Sequence, residues 1–250
     1  MNTEIIYGIH PVFEALKAKR RNIYEIYIAE KDNIIQRFEN IVVKATEQSV
    51  PIKSIPINIL KNLAKTDEHQ GIAAKVDVYP IFDFYDILDG LNNVAPIFLI
   101  LDSIVDPNNL GALVRTAVCL GIESVIIPKD RSVSPTPAVS KASAGAIEHM
   151  KISKVTNITN SIKKLKSMDF WVVGMDKLGD KSIYDVDLTG PIAIIIGSEG
   201  KGIRPLIKKE CDYLAYIPQL GEIESLNASV AGGIAMYEAF RQRKVKGGIV

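Results

Sequence analysis

Two uninterrupted apolar runs, Pro-Ile-Phe-Leu-Ile-Leu over residues 96–101 and Ile-Ala-Ile-Ile-Ile over 192–196, constrain this chain more than any other feature. Neither alternates apolar with polar residues, so each reads as a strand buried on both faces, the kind found in parallel sheets covered by helices. The surrounding sequence alternates in the same sense. Helical periodicity is expected over 109–120, 138–149, 158–168, 203–210 and 226–243, with strands over 124–127, 152–155, 171–174 and 214–217. Alternating strands and helices define an α/β layered sheet.

The first part of the chain is a smaller α/β pattern of its own. Helices are expected over 11–19, 33–48 and 57–64, and strands over 23–29, 52–55 and 71–78. Residues 76–95 break the rhythm. They hold Asp77, Asp83, Asp86 and Asp89 with no Lys or Arg, plus Pro80 and Gly90, and read as a linker. The expected organisation is therefore a domain over 1–75, a linker over 76–95 and a second domain over 96–250.

Composition excludes more than it identifies. A chain 47% hydrophobic and 24% charged is an ordinary globular protein. Cys119 and Cys211, with His10, His69 and His149, have no metal-ligand spacing, so no metal site is expected. Sparse cysteine fits a reducing cytosol. No stretch suits a membrane span, and residues 1–7 lack a basic head with an apolar run, so neither membrane nor secretory signal is expected. A net charge of +1 gives no whole-chain signature of a nucleic-acid binder. Positive charge is local, in Lys17, Lys19, Arg20 and Arg21, which on charge alone read as a solvated helix end.

Three segments carry chemistry. Asp102 to Arg115 lies where a buried strand passes into a helix, the place where open α/β sheets bind ligands. Asp106 and Asn108 are natural caps there, while Arg115 interrupts the apolar residues Leu113, Val114 and Ala117. In Ile196-Gly197-Ser198-Glu199-Gly200-Lys201-Gly202, a strand enters a glycine-rich turn that matches neither a dinucleotide loop nor a phosphate loop. Its glycines allow tight turning and close ligand approach, and Glu199 reads either as a capping carboxylate or as a functional one. In Ile217-Pro218 through Ser225-Leu226-Asn227-Ala228-Ser229, Ser225 is the expected cap of the last helix. Asn227 and Ser229 then fall inside its first turns, where such residues are unfavourable unless they contact something.

Taken in this order, the three segments resemble the motifs of the SpoU branch of the SPOUT RNA methyltransferases. Tyr7-Gly8-Ile9-His10-Pro11, His69-Gln70-Gly71 and Lys129-Asp130-Arg131-Ser132 resemble its RlmB subgroup, so that the likeness covers nearly the whole chain. The loop over 222–224 is more acidic than in most relatives. The resemblance implies a C-terminal α/β domain with a deep trefoil knot and a small N-terminal ribosomal-protein-like domain that binds RNA. It implies S-adenosylmethionine as methyl donor, held by Gly197, Ile217 and Leu226 with Ile196, Pro218 and Ser225. It further implies a cytoplasmic homodimer, packed through the last helix and the first motif helix, that methylates a guanosine 2′-hydroxyl in the peptidyl-transferase loop of 23S rRNA.

Within that frame, Arg115 holds an RNA phosphate and steadies the developing alkoxide, since a guanidinium stays protonated. Asn108 and Asn227 position the ribose, Glu199 orients Arg115 or moves the proton, and the 17–21 cluster grips RNA. Three alternatives stay open: a TrmH-type tRNA guanosine 2′-O-methyltransferase, a resistance methyltransferase acting on another ribosomal loop, and a non-catalytic RNA-binding protein.

Overall fold

The computed structural model describes residues 2–30, 37–221 and 225–247. It divides into two compact units, Met1–Pro80 with Ser134–His149, and Ile81–Val133 with Met150–Val250.

The first unit opens with β1 (Thr3–Tyr7), α1 (Ile9–Ala18) and β2 (Ile23–Ala29). It continues through α2 (Glu39–Glu47), β3 (Ile52–Ile55), α3 (Ile57–Ala64) and β4 (Ile72–Asp77). The sheet order is β1-β4-β2-β3. β4 runs antiparallel to both β1 and β2, and β3 is parallel to β2. Helix α1 buries Pro11, Val12, Ala15 and Leu16, a stripe at helical spacing. With Ile6, Ile26, Phe38 and Ile41 these form the core of the unit. The short strand β1 escapes sequence reading because it is an edge strand without clear alternation. The expected helix over 33–48 is seen as α2; residues 33–36 lie outside the described residues.

Within 76–95, β4 runs on to Asp77, and α4 (Phe84–Asp89) follows. The acidic residues have a local use: the Asp83 side chain accepts from the Tyr85 and Asp86 amides at 2.8 and 3.3 Å, an N-cap. Phe84, Ile87 and Leu88 then enter the core of the second unit.

That unit holds β5 (Ile97–Asp102), α5 (Pro107–Cys119) and β6 (Ser124–Pro128). The chain then departs to α6 (Pro137–Ala142) and a 3-10 turn (Ala146–His149), which belong to the first unit. It returns as β7 (Ile152–Val155), α7 (Ile158–Lys166), β8 (Trp171–Met175) and β9 (Lys181–Ser182). The last elements are β10 (Ile192–Gly197), α8 (Pro205–Lys208), β11 (Tyr213–Tyr216) and α9 (Ala228–Gly247). The strand order is β7-β6-β5-β10-β8-β11-β9, and every pairing is parallel. β5 is buried at every position and β10 at all but its last, Gly197, as their unbroken apolar runs require.

Two expected helices are cut short. The one over 138–149 breaks after Ala142 because Ala144 and Gly145 take left-handed φ values of 51° and 80°. A Cβ on Gly145 would come within 2.7 Å of the His10 carbonyl oxygen, so α1 packs where a regular helix would continue. The one over 203–210 shrinks to α8, whose start is set by Pro205 in the first turn.

Candidate active site

The glycine-rich turn closes on itself. Ser198 and Gly202 exchange backbone hydrogen bonds of 3.2 and 2.8 Å. A Cβ on Gly197 would lie 2.1 Å from the Gly202 carbonyl carbon and 2.3 Å from the Ile203 nitrogen. No side chain fits there, which explains the glycine by close approach rather than by flexibility. Helix α9 comes equally close: a Cβ on Gly232 would lie 2.3 Å from Leu113 of α5.

Beside this turn lies a cavity of about 480 Å³, within the roughly 300–1,000 Å³ typical of small-molecule sites. Ile196, Gly197, Ile217, Ser225 and Leu226 line it, as does Ala228; Pro218 does not, although its neighbours Ile217 and Gln219 do. The lining is thus mixed: the apolar Ile196, Ile217 and Leu226, the glycines of the turn, and the charged Asp176, Glu199, Lys201 and Lys208. At the polar rim, burial alone would raise the Asp176 carboxyl. The Lys208 ammonium against it, and the Leu178 amide at 2.9 Å, hold it below the ordinary carboxylate range.

Glu199 gathers all three segments. Its Oε1 accepts from Asn109 Nδ2 at 2.8 Å and from Asn227 Nδ2. The amide of Asn227 cannot be reversed, because its Oδ1 accepts from the Ser229 amide at 2.8 Å and from the Ser229 hydroxyl at 2.6 Å. Asn227 therefore caps α9, and the expectation of Ser225 as the cap is corrected. Two residues further on, Asn227 can serve the helix and Glu199 together. Oε2 of Glu199 has no partner among the described residues.

The structure does not bring the other expected residues to this carboxylate. Asn108 is exposed and bonds Asp106 at 3.2 Å. Arg115 is also exposed and has no partner among the described residues, so its place in the helix carries no burial cost. Glu199 orients two asparagines, not Arg115. The residue that sequence reading missed is Asn109. Its signal was helical register: Asn109 stands four residues before the buried Leu113, whereas Asn108 shares an outward stripe with Arg115.

The 17–21 cluster also divides. Lys17 and Lys19 are exposed and Arg20 is half-buried. Arg21 is buried, with side-chain exposures of 2% for Arg21 and 0% for Glu148, its ion-pair partner. It also meets Glu4 and the Asp77 carbonyl. A guanidinium so consumed is not offered to RNA.

The second unit is thus an all-parallel sheet with a cavity at strand ends, and the first a separate four-stranded sheet. The solved structure of AviRb from Streptomyces viridochromogenes in complex with AdoMet matches with a TM-score of 0.82 over 99% of this chain and 92% of that one, at 22% identity. The profile of the SpoU rRNA Methylase family matches residues 96–237, and that of the RNA 2′-O ribose methyltransferase substrate-binding domain matches residues 5–82. The chain belongs to the SpoU rRNA methylase family. It is 41% identical to the 23S rRNA (guanosine-2′-O-)-methyltransferase RlmB of Coxiella burnetii over 96% of each chain. Identity to the corresponding enzyme of Ralstonia nicotianae is 38% over 97% of each.

Proposed function

We infer that this chain is an S-adenosylmethionine-dependent ribose 2′-O-methyltransferase acting on a guanosine of 23S rRNA. The observation that carries the reading is the meeting of Asn109, Glu199 and Asn227 on one carboxylate oxygen, beside a cavity of small-molecule size. Full-length likeness to RlmB enzymes, including the N-terminal unit, favours ribosomal over transfer RNA.

The cavity fits the donor by its chemistry. Ile196, Ile217 and Leu226 offer an apolar wall for a flat base, and the Gly197 turn offers bare backbone. Ser225 adds a hydroxyl, and Asp176 adds an ionised carboxylate at the rim. When bound, S-adenosylmethionine supplies an electrophilic methyl group. Glu199 is fixed on one side by two amides and open at Oε2, where it can hold the proton of a ribose 2′-hydroxyl. Asn109 and Asn227 keep that oxygen in place without rotamer freedom to lose.

Arg115 and Asn108, seven residues apart on the outward stripe of α5, are proposed to meet the RNA phosphate and ribose rather than Glu199. The proposed homodimer is supported by α9, which is apolar on more than one face: Ala235, Met236 and Ala239 are buried while Val230 and Tyr237 are exposed. A knotted chain path is proposed on the family resemblance alone. Among the described residues no helix is long and apolar enough to cross a membrane, and a cytoplasmic location is proposed from the ribosomal RNA substrate.

The test is transfer of labelled methyl from S-adenosylmethionine to transcribed 23S rRNA and, in parallel, to bulk tRNA, with the product nucleoside identified. The expected product is 2′-O-methylguanosine in rRNA alone. Label in tRNA alone overturns the substrate, and label in a base rather than a ribose overturns the reaction.

A further inference from the structure

The methyltransferase unit contains a second and larger concavity, of about 740 Å³, which shares no lining residue with the first. It opens at the carboxyl ends of β6 and β7, and its walls include Pro128, Arg131, Thr156, Asn157, Arg204 and Leu206. Nothing in the reaction described above uses it.

Arg204 is unusually well fixed. Asp102, wholly buried at the end of β5, accepts from the Arg204 amide at 2.8 Å and from its Nε at 2.7 Å. The side chain is nevertheless 45% exposed, and its two Nη groups have no partner among the described residues. A buried carboxylate thus holds the inner edge of a guanidinium and leaves the outer edge to the groove. If neutralising Asp102 were the whole purpose, no outer edge would need to face a cavity.

Arg131 also lines the groove, in a left-handed conformation at φ 58°. The turn is held by the Ser132 hydroxyl donating to the Pro128 carbonyl at 2.6 Å and the Val133 amide donating to the Ile104 carbonyl at 2.8 Å. Its guanidinium too has no partner among the described residues. Of the two carboxylates lining the groove, Glu210 faces Lys163 at 3.6 Å, which leaves Asp130. Leu206 is 71% exposed at the rim.

Two unpaired guanidinium edges, one pre-set by a buried carboxylate, suit a phosphate diester. An exposed leucine, together with Thr156 and Asn157, suits a base and a sugar rather than a free anion. We propose that this groove receives a phosphodiester of the RNA strand next to the target nucleotide, the phosphate lying between Arg204 and Arg131 and the adjoining base against Leu206. This rests on RNA being the substrate. Both cavities lie at carboxyl ends of strands in one all-parallel sheet, so RNA that presents a ribose beside the donor cavity can continue along that edge into the groove.

The test compares wild type, Arg131→Gln, Arg204→Gln and Arg204→Lys on a 23S rRNA fragment that wild type methylates. It measures affinity at several salt concentrations, S-adenosylmethionine binding by calorimetry, and thermal stability. Each Gln variant is expected to bind RNA about tenfold more weakly, with a salt slope smaller by about one, as for a lost phosphate contact. Donor affinity stays at the wild-type value, and Arg204→Lys fails to restore RNA binding because a point charge cannot replace the fork. Arg204→Gln strips a buried carboxylate of its partner, so if its melting temperature falls, Arg131→Gln decides. Wild-type affinity and slope in Arg131→Gln overturn the groove while leaving the methyltransferase reading intact. Failure of wild type to methylate any 23S rRNA fragment overturns that reading, and this inference with it.

Discussion

Glu199 has one oxygen taken by two amides and the other open, an asymmetry that separates geometry from proton chemistry. Glu199→Gln keeps a carbonyl oxygen for Asn109 and Asn227 but cannot accept a proton. Methyl transfer is expected to fall by about 10²–10⁴, the usual contribution of a positioned base, with donor affinity unchanged by calorimetry. A variant that keeps a tenth or more of the rate (~10%) makes Glu199 a positioning residue only. At this scale the sequence was readable in part. Residue type singled out Glu199, a carboxylate within a glycine-rich turn, and Asn227, a polar residue where the first turns of an apolar helix were expected. It could not choose between Asn108 and Asn109, which are chemically identical neighbours separated only by about 100° of helical rotation. Arg115 drew notice as an arginine among apolar residues, yet it lies on the outer stripe, where it costs nothing.

Helix starts were legible to within a residue or two. The expected start at 158 holds for α7, behind the cap Asn157, whereas Asp106 and Asn108 both suited the helix expected from 109, and the structure starts α5 at Pro107 behind Asp106. At α9 the sequence reading took Ser225 as the cap and put Asn227 inside the helix, because local propensity does not rank one such residue above the other. A distant partner does so: Asn227 reaches Glu199, which is 28 residues away. This gives a paired prediction. Asn227→Ala is expected to cost about 1 kcal/mol, within the range of about 0.5–2 for a lost cap, and also to release Glu199. Ser225→Ala is expected to change stability by less than about 0.5 kcal/mol. Urea unfolding of both variants checks this, and equal losses would restore Ser225 as the cap. The broken helix at Gly145 teaches the same lesson, since α1 packs against the residue whose left-handed backbone ends the helix.

For the molecule as a whole, the unbroken apolar runs foretold a parallel sheet, because burial on both faces leaves a mark in every residue. Which unit Ser134–His149 joins left no such mark. It follows from contacts far apart in sequence, among them the packing of α6 on β1 and of the 3-10 turn on α1, and Arg21 with Glu148, 127 residues away. Arg21 read as surface charge, whereas it ties the inserted segment to β1 and to the end of β4 through Glu148, Glu4 and Asp77. Burial raises the Glu148 carboxyl above the ordinary value of 4.5, and the Arg21 guanidinium against it opposes that rise. Arg21→Ala removes the opposition, so the carboxyl rises further. A carboxyl whose folded pKa exceeds its unfolded one favours the fold below the unfolded value and loses that contribution as pH climbs through the folded value. Breaking a buried pair from one side costs about 3–5 kcal/mol. Arg21→Ala is therefore expected to lose about that much near pH 8 and distinctly less near about pH 4.5, where Glu148 folds in its protonated form. Denaturant unfolding of wild type and variant at both pH values reads the difference directly, and acid-induced loss common to the two proteins cancels. A deficit that stays constant with pH, or grows towards acid, would mean that Arg21 matters to the first unit through packing and not through the charge it shares with Glu148.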